Sequence, residues 1–144
     1  MENLEATIEK IKVNRTHNTW HRMNYGRIPY SAHYMVGIRD FPGINEKCPA
    51  IHRPTPNLGG SGKSLSIWIH KSVPRKFIEF VLYHELVEAE LAIVDGIPLS
   101  EAHKKAVVLE ELYAEKFYGE QRLAELRRWR ESLTTDNYQA PYKK

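Results

Sequence analysis

Residues 64–96 read SLSIWIHKSVPRKFIEFVLYHELVEAELAIVDG, and the fold turns on how this stretch is read. Its first seven residues alternate polar and apolar, with Leu65, Ile67 and Ile69 on one face, the pattern of a half-buried strand. Pro74 stands where a first helical turn accepts proline. From there a helical pattern runs to about Val94, and Asp95-Gly96 supplies a residue suited to the left-handed cap. Plotted at about 100° per residue, Phe77, Ile78, Phe80, Val81, Leu82, Ala89 and Leu91 form a broad apolar arc. Glu79, Tyr83 and Glu90 mark the polar side, while His84, Glu85 and Glu88 fall inside the arc.

Working outward, Ser100 and Glu101 open a second, longer helix reaching about Arg130, with Gly119 as a weak point inside it. The short connection at residues 95–99 predicts that the two helices are antiparallel neighbours. On the other side, SAHYMVGIR at residues 31–39 reads as a strand. Between the strands, residues 41–63 hold four prolines and four glycines and read as a long loop. Leu4, Ile8 and Ile11 have helical spacing, which predicts a short helix over residues 3–13. The expected architecture is α+β, a small sheet packed against two long antiparallel helices. Residues 1–133 then form a single domain, and residues 134–144 a poorly ordered tail.

The chain of 144 residues is long enough to bury a core without covalent staples. Its single cysteine, Cys48, excludes an internal disulfide framework and any cysteine-based zinc finger. A net charge of +3 is too small to imply nucleic acid without a concentrated basic stripe. Apolar runs are interrupted by charges every few residues, so no membrane span is expected. The acidic, amphipathic first residues differ from a secretory leader, and with one free thiol a cytoplasmic location is the expectation.

A metal, if one is bound, must be held by histidine and carboxylate. His84 and Glu88 are four apart and share a helix face. Burying an imidazole and two carboxylates without partners costs several kcal/mol, and a divalent cation that binds both group types removes that cost. Zinc enzymes with the HExxH motif place two ligands one turn apart, with the intervening Glu as general base. Here the motif is His84-Glu85-Leu86-Val87-Glu88, with glutamate in place of the second histidine. The extra negative charge favours zinc less and admits Mn²⁺ or Fe²⁺. On the following helix His103 and Glu110 are seven apart and nearly aligned, with Glu111 at the edge of that face. His103 or a glutamate of this face is the expected further ligand.

The segment SIWIHKSVPRKFIEFVLYHELVEAEL resembles the strand, proline-started helix and HE motif of gluzincin-type metallopeptidases, closest to the ImmA/IrrE-like group. That likeness covers roughly residues 64–120 and implies a zincin-like domain. It makes His84 a ligand, Glu85 the general base and Glu88 the counterpart of the second ligand histidine. The stretch Glu111-Leu-Tyr-Ala114 resembles the family's later ExxA segment and makes Glu111 the third ligand. A metal-dependent hydrolase acting on a peptide or protein is the function this implies, with zinc, Mn²⁺ or Fe²⁺ as cofactor.

Two other readings belong to different classes. One is a binding protein that keeps the scaffold without catalysis. The other is nucleic-acid binding through His17, His21, Arg22 and Arg27 interleaved with Trp20, Tyr25, Tyr30 and Tyr34, against which a packed aromatic cluster is the plainer expectation. Gly59-Gly60-Ser61-Gly62-Lys63-Ser64 is not a phosphate loop, because Asn57 stands where the pattern needs glycine and a strand follows instead of a helix. His33, His52 and His70 have no partners at metal spacing along the chain, and Arg127, Arg128 and Arg130 around Trp129 read as a solvated helix end.

Overall fold

The computed structural model describes residues 8–56 and 63–133. Strands β1 (His21–Met23), β2 (Ala32–Ile38), β3 (Ala50–Pro56) and β4 (Lys63–His70) are followed by one 3-10 turn, Arg75–Phe77. Helices α1 (Ile78–Val94), α2 (Leu99–Tyr118) and α3 (Glu120–Leu133) come next and complete the elements of the described residues. The fold is α+β, with one mixed sheet in the order β1-β2-β4-β3. β2 runs parallel to β4, and the two outer pairings are antiparallel.

β4 is the central strand. Leu65, Ile67 and Ile69 are fully buried, and their neighbours in register are Ala32, Tyr34 and Val36 on β2 and Pro54, His52 and Ala50 on β3. The expected half-buried strand is in fact covered on both faces. Trp68 points away from the helices and meets the edges of Trp20 and Phe41, with ring centroids 5.8 and 6.1 Å away. No helix among the described residues is long and apolar enough to cross a membrane.

Four expectations are corrected. The presumed loop contains β3, which tolerates Pro54 because an edge strand has a side with no hydrogen-bonding neighbour. The presumed second helix is two helices, because Gly119 takes φ +92° and ψ 172°, a conformation open essentially to glycine alone. Residues 8–16 form no helix; Ile8 and Ile11 are buried, but the backbone finds side chains instead. Ile11 N–H donates to Tyr113 Oη at 3.0 Å, Asn14 N–H donates to Tyr34 Oη at 2.9 Å, and Lys116 Nζ donates to the Ile8 carbonyl at 2.9 Å. The remainder of that expected helix, the Gly59–Gly62 segment and the tail from Thr134 lie outside the described residues.

The fourth correction concerns the polar side of α1. Every residue from Ile78 to Ala89 is buried, so this helix sits inside the molecule and has no solvent face over three turns. Glu79 is satisfied there by Tyr113 Oη, by Tyr118 Oη at 2.6 Å and by Arg15 at 3.3 Å. The extended segment at residues 8–15, which a helix was expected to occupy, helps cover this face. At its far end α1 closes as expected: Gly96 is at φ +66° and Ile97 N–H reaches the Leu91 carbonyl at 3.1 Å.

Candidate metal centre

Helix α1 presents His84, Glu85 and Glu88 to three different neighbours. α2 brings His103 and Glu110, β3 brings His52, and α3 brings Arg130. All five α1 and α2 residues are buried, with Glu88 fully so. A solvated helix face is therefore excluded for His84-Glu85-Glu88.

The centre of the group is a triangle. His84 Nε2 lies 3.2 Å from His103 Nδ1, His103 Nδ1 lies 3.0 Å from Glu88 Oε2, and His84 Nε2 lies 3.4 Å from the same oxygen. Hydrogen bonding cannot satisfy all three sides. Each imidazole nitrogen carries at most one proton and the carboxylate carries none, so one side is always without its own proton. Bonds of about 2.0–2.1 Å arranged tetrahedrally put ligand atoms about 3.3 Å apart, close to all three sides. The donor set, two imidazoles and one carboxylate, suits a borderline divalent cation. On both grounds these residues fit a metal.

The surroundings hold the triangle in place. His84 Nδ1 donates to Glu110 Oε1 at 2.9 Å, which leaves Nε2 directed at His103 and Glu88. Arg130 Nη2 stands 3.2 Å from the same Glu110 oxygen. Burial alone would lower the His84 pKa, but the bonds to Glu110 and Glu88 raise it to about 10. Burial alone would raise the Glu88 carboxyl, but His103 and His84 hold it down at about 2.

A second group adjoins the first. His52 Nδ1 donates to Glu85 Oε1 at 2.8 Å and lies 3.6 Å from Glu88 Oε1. Burial would depress the His52 pKa, and the bond to Glu85 overrides it and raises it. Glu88 Oε1 itself is buried without a hydrogen-bond partner among the described residues. A cavity of about 20 Å³ is lined by Cys48, His84, Glu85, Glu110, Trp129 and Arg130, among others. That is room for one water.

Of the residues expected from sequence, the structure brings together His84, Glu85, Glu88 and His103. Glu111 is not with them. It is one position, hence about 100°, around α2 from Glu110, and is held by Arg127 at 2.9 Å and Arg130 at 2.7 Å. Glu110 is the inward carboxylate. Trp129 and Arg130 do not decorate a solvated end: Trp129 stacks on Phe77 at 5.2 Å, and Arg130 is 14% exposed. His52 joins this group although the prolines and glycines of residues 41–63 predict a loop with no ligand. Seen as a strand, the alternation Ala50, His52, Pro54 puts His52 on the face that meets α1. His70 is occupied elsewhere, donating to Asp40 Oδ1 at 2.5 Å and accepting from Ser72 Oγ at 2.8 Å.

The basic aromatic stretch is engaged within the chain. His21 lies against Tyr34 and Tyr25 against Tyr83, while Arg27 forms paired bonds to Asp95 at 2.9 and 2.7 Å. Comparison with known proteins adds no relative: no family model, curated protein or solved structure matches this chain.

Proposed function

We propose that this chain is a metal-dependent hydrolase of zincin-like type, acting on a peptide or protein, with the cation held by His84, Glu88 and His103. The reading is carried by the triangle of two imidazole nitrogens and one carboxylate oxygen, 3.0 to 3.4 Å on a side, the spacing of ligand atoms around one cation. Zinc suits the two imidazoles, and the carboxylate also admits Mn²⁺ or Fe²⁺. When bound, such a cation supplies Lewis acidity that brings the pKa of a water towards neutrality.

The chain's own groups supply the rest. Glu85 lines the water-sized cavity beside His84, and its Oε1 is oriented by the bond from His52 Nδ1. It is the carboxylate suited to take a proton from a water in that cavity and to return it to a leaving amine. Glu110 fixes the ring of His84 from behind. The test pairs metal analysis with a broad peptide and ester screen of the protein and its Glu85→Gln variant. Metal-dependent hydrolysis lost in Glu85→Gln, with the ion at His84, Glu88 and His103 retained, is the expected result; absence of metal from the protein after reconstitution overturns the proposal.

One observation favours a second reading, a closed metal centre in a binding protein. His84, Glu88 and His103 are at most 5% exposed, and the adjoining cavity admits a water but no substrate group. Bound metal with no hydrolysis in the screen selects this reading.

A further inference from the structure

We infer that the site takes two divalent cations, bridged by Glu88, the second held by His52, Glu85 and Glu88 Oε1. The inference rests on the metal-centre part of the proposed function and extends it from one ion to two.

The two oxygens of Glu88 face two different sets of ligand atoms. Oε2 closes the triangle with His84 and His103. Oε1 looks the other way, towards His52 Nδ1 at 3.6 Å, and makes no hydrogen bond despite full burial. A buried carboxylate oxygen left without a partner costs about 1–3 kcal/mol or more, so Oε1 is held where no hydrogen bond among the described residues rewards it. One ligand atom each from His52, Glu85 and Glu88 lies within 4.8 Å of the other two, just as in the group of His84, Glu88 and His103. Glu88 belongs to both groups.

Helix geometry explains the sharing. Glu85 and Glu88 are three apart and His84 and Glu88 four apart, so Glu88 is the carboxylate that neighbours both along α1. β3 then approaches on the Glu85 side and α2 on the His84 side. A carboxylate-bridged pair about 3.5–4 Å apart is a recurring hydrolytic arrangement. The second set is richer in oxygen than the first and favours Mn²⁺ or Fe²⁺ over zinc. In this arrangement Glu85 acts as a ligand, so its substitution changes metal content as well as rate.

The experiment counts metal on the full chain after loading with Mn²⁺, Fe²⁺ or Zn²⁺, each alone, and removing excess. Spin coupling is followed by electron paramagnetic resonance of the Mn²⁺ form. Two ions per chain are expected with Mn²⁺ or Fe²⁺, with a coupled Mn²⁺ signal. His52→Gln should reduce the count from two to one and leave an uncoupled signal, and His103→Gln should remove the other ion. Far-UV circular dichroism confirms that each variant is folded. One ion per chain with every metal, lost in His103→Gln and retained in His52→Gln, overturns the pair and leaves the single-ion reading standing. No ion in the unaltered chain overturns both.

Discussion

His84 Nδ1 donates to Glu110 Oε1 at 2.9 Å, from the middle of α1 to the middle of α2, and this bond decides which nitrogen of His84 faces the triangle. Arg130 approaches the same oxygen from α3, so three helices meet at the carboxylate that orients this imidazole. Outer contacts of this kind typically contribute 10–100-fold to metal affinity.

Glu110→Gln keeps the shape but weakens the acceptor, and should raise the Kd for Zn²⁺ or Mn²⁺ about 10–100-fold, or roughly 1.4–2.7 kcal/mol. Competition calorimetry against a chelator measures this. An unchanged Kd would show that Glu110 does not orient His84. Glu111→Gln, which touches Arg127 and Arg130, should leave the Kd alone.

Metal binding to the folded chain should raise its melting temperature. At a free metal concentration about 100 times Kd the linkage is about 2.7 kcal/mol, which for a chain of this size corresponds to roughly 5–15 °C. Differential scanning fluorimetry with and without metal reads it, and His84→Ala should reduce the shift. A shift of equal size in His84→Ala would place the binding elsewhere.

The metal-free chain should be most stable in mildly acidic solution. His84 is raised in the folded state from 6.5 to about 10, so its contribution is complete below about pH 6.5 and is lost as pH rises through about 10. Glu88 is lowered from 4.5 to about 2, so its contribution is complete above about pH 4.5 and is lost as pH falls through about 2. Urea melts of the metal-free protein should therefore show midpoints falling between pH 7 and 10. Metal competes with the His84 proton, so affinity should rise with pH over the same range. A flat or rising midpoint in the metal-free form contradicts the assignment.

Gly119→Ala gives opposite signs for the two descriptions of residues 99–133. In one continuous helix, replacing glycine by alanine stabilises by about 1 kcal/mol. At φ +92° and ψ 172° it destabilises by about 1–3 kcal/mol. Denaturant unfolding decides by sign alone.

Tyr113→Phe should destabilise by about 1–3 kcal/mol, because it leaves the Ile11 N–H without its acceptor and removes a donor from buried Glu79. Pairing it with Glu79→Gln in a double-mutant cycle isolates the coupling, and additive effects would show that the two side chains do not interact.

Residues 64–96 by themselves determined the central strand, the proline-started helix, its glycine-capped end and the inward position of His84, Glu85 and Glu88, because alternation and 3.6-residue periodicity are local properties. The whole sequence also determined that any metal must be held by histidine and carboxylate, since its one cysteine, Cys48, leaves no other set. The approach of α2 was legible too, through the short connection, and with it His103. Periodicity put Glu110 in line with His103 and Glu111 at the edge of the same face, and tertiary structure alone decided that Glu110 meets His84 while Arg127 and Arg130 hold Glu111 outside. It alone decided that Glu79 is buried, because a segment more than sixty residues away covers it. It alone recruited His52, whose strand is signalled poorly by a proline-rich sequence and exists because β4 offers it a free edge. The physical reason is common to all three: periodicity specifies which way a side chain leaves its own element, whereas partners distant in the chain specify what it meets.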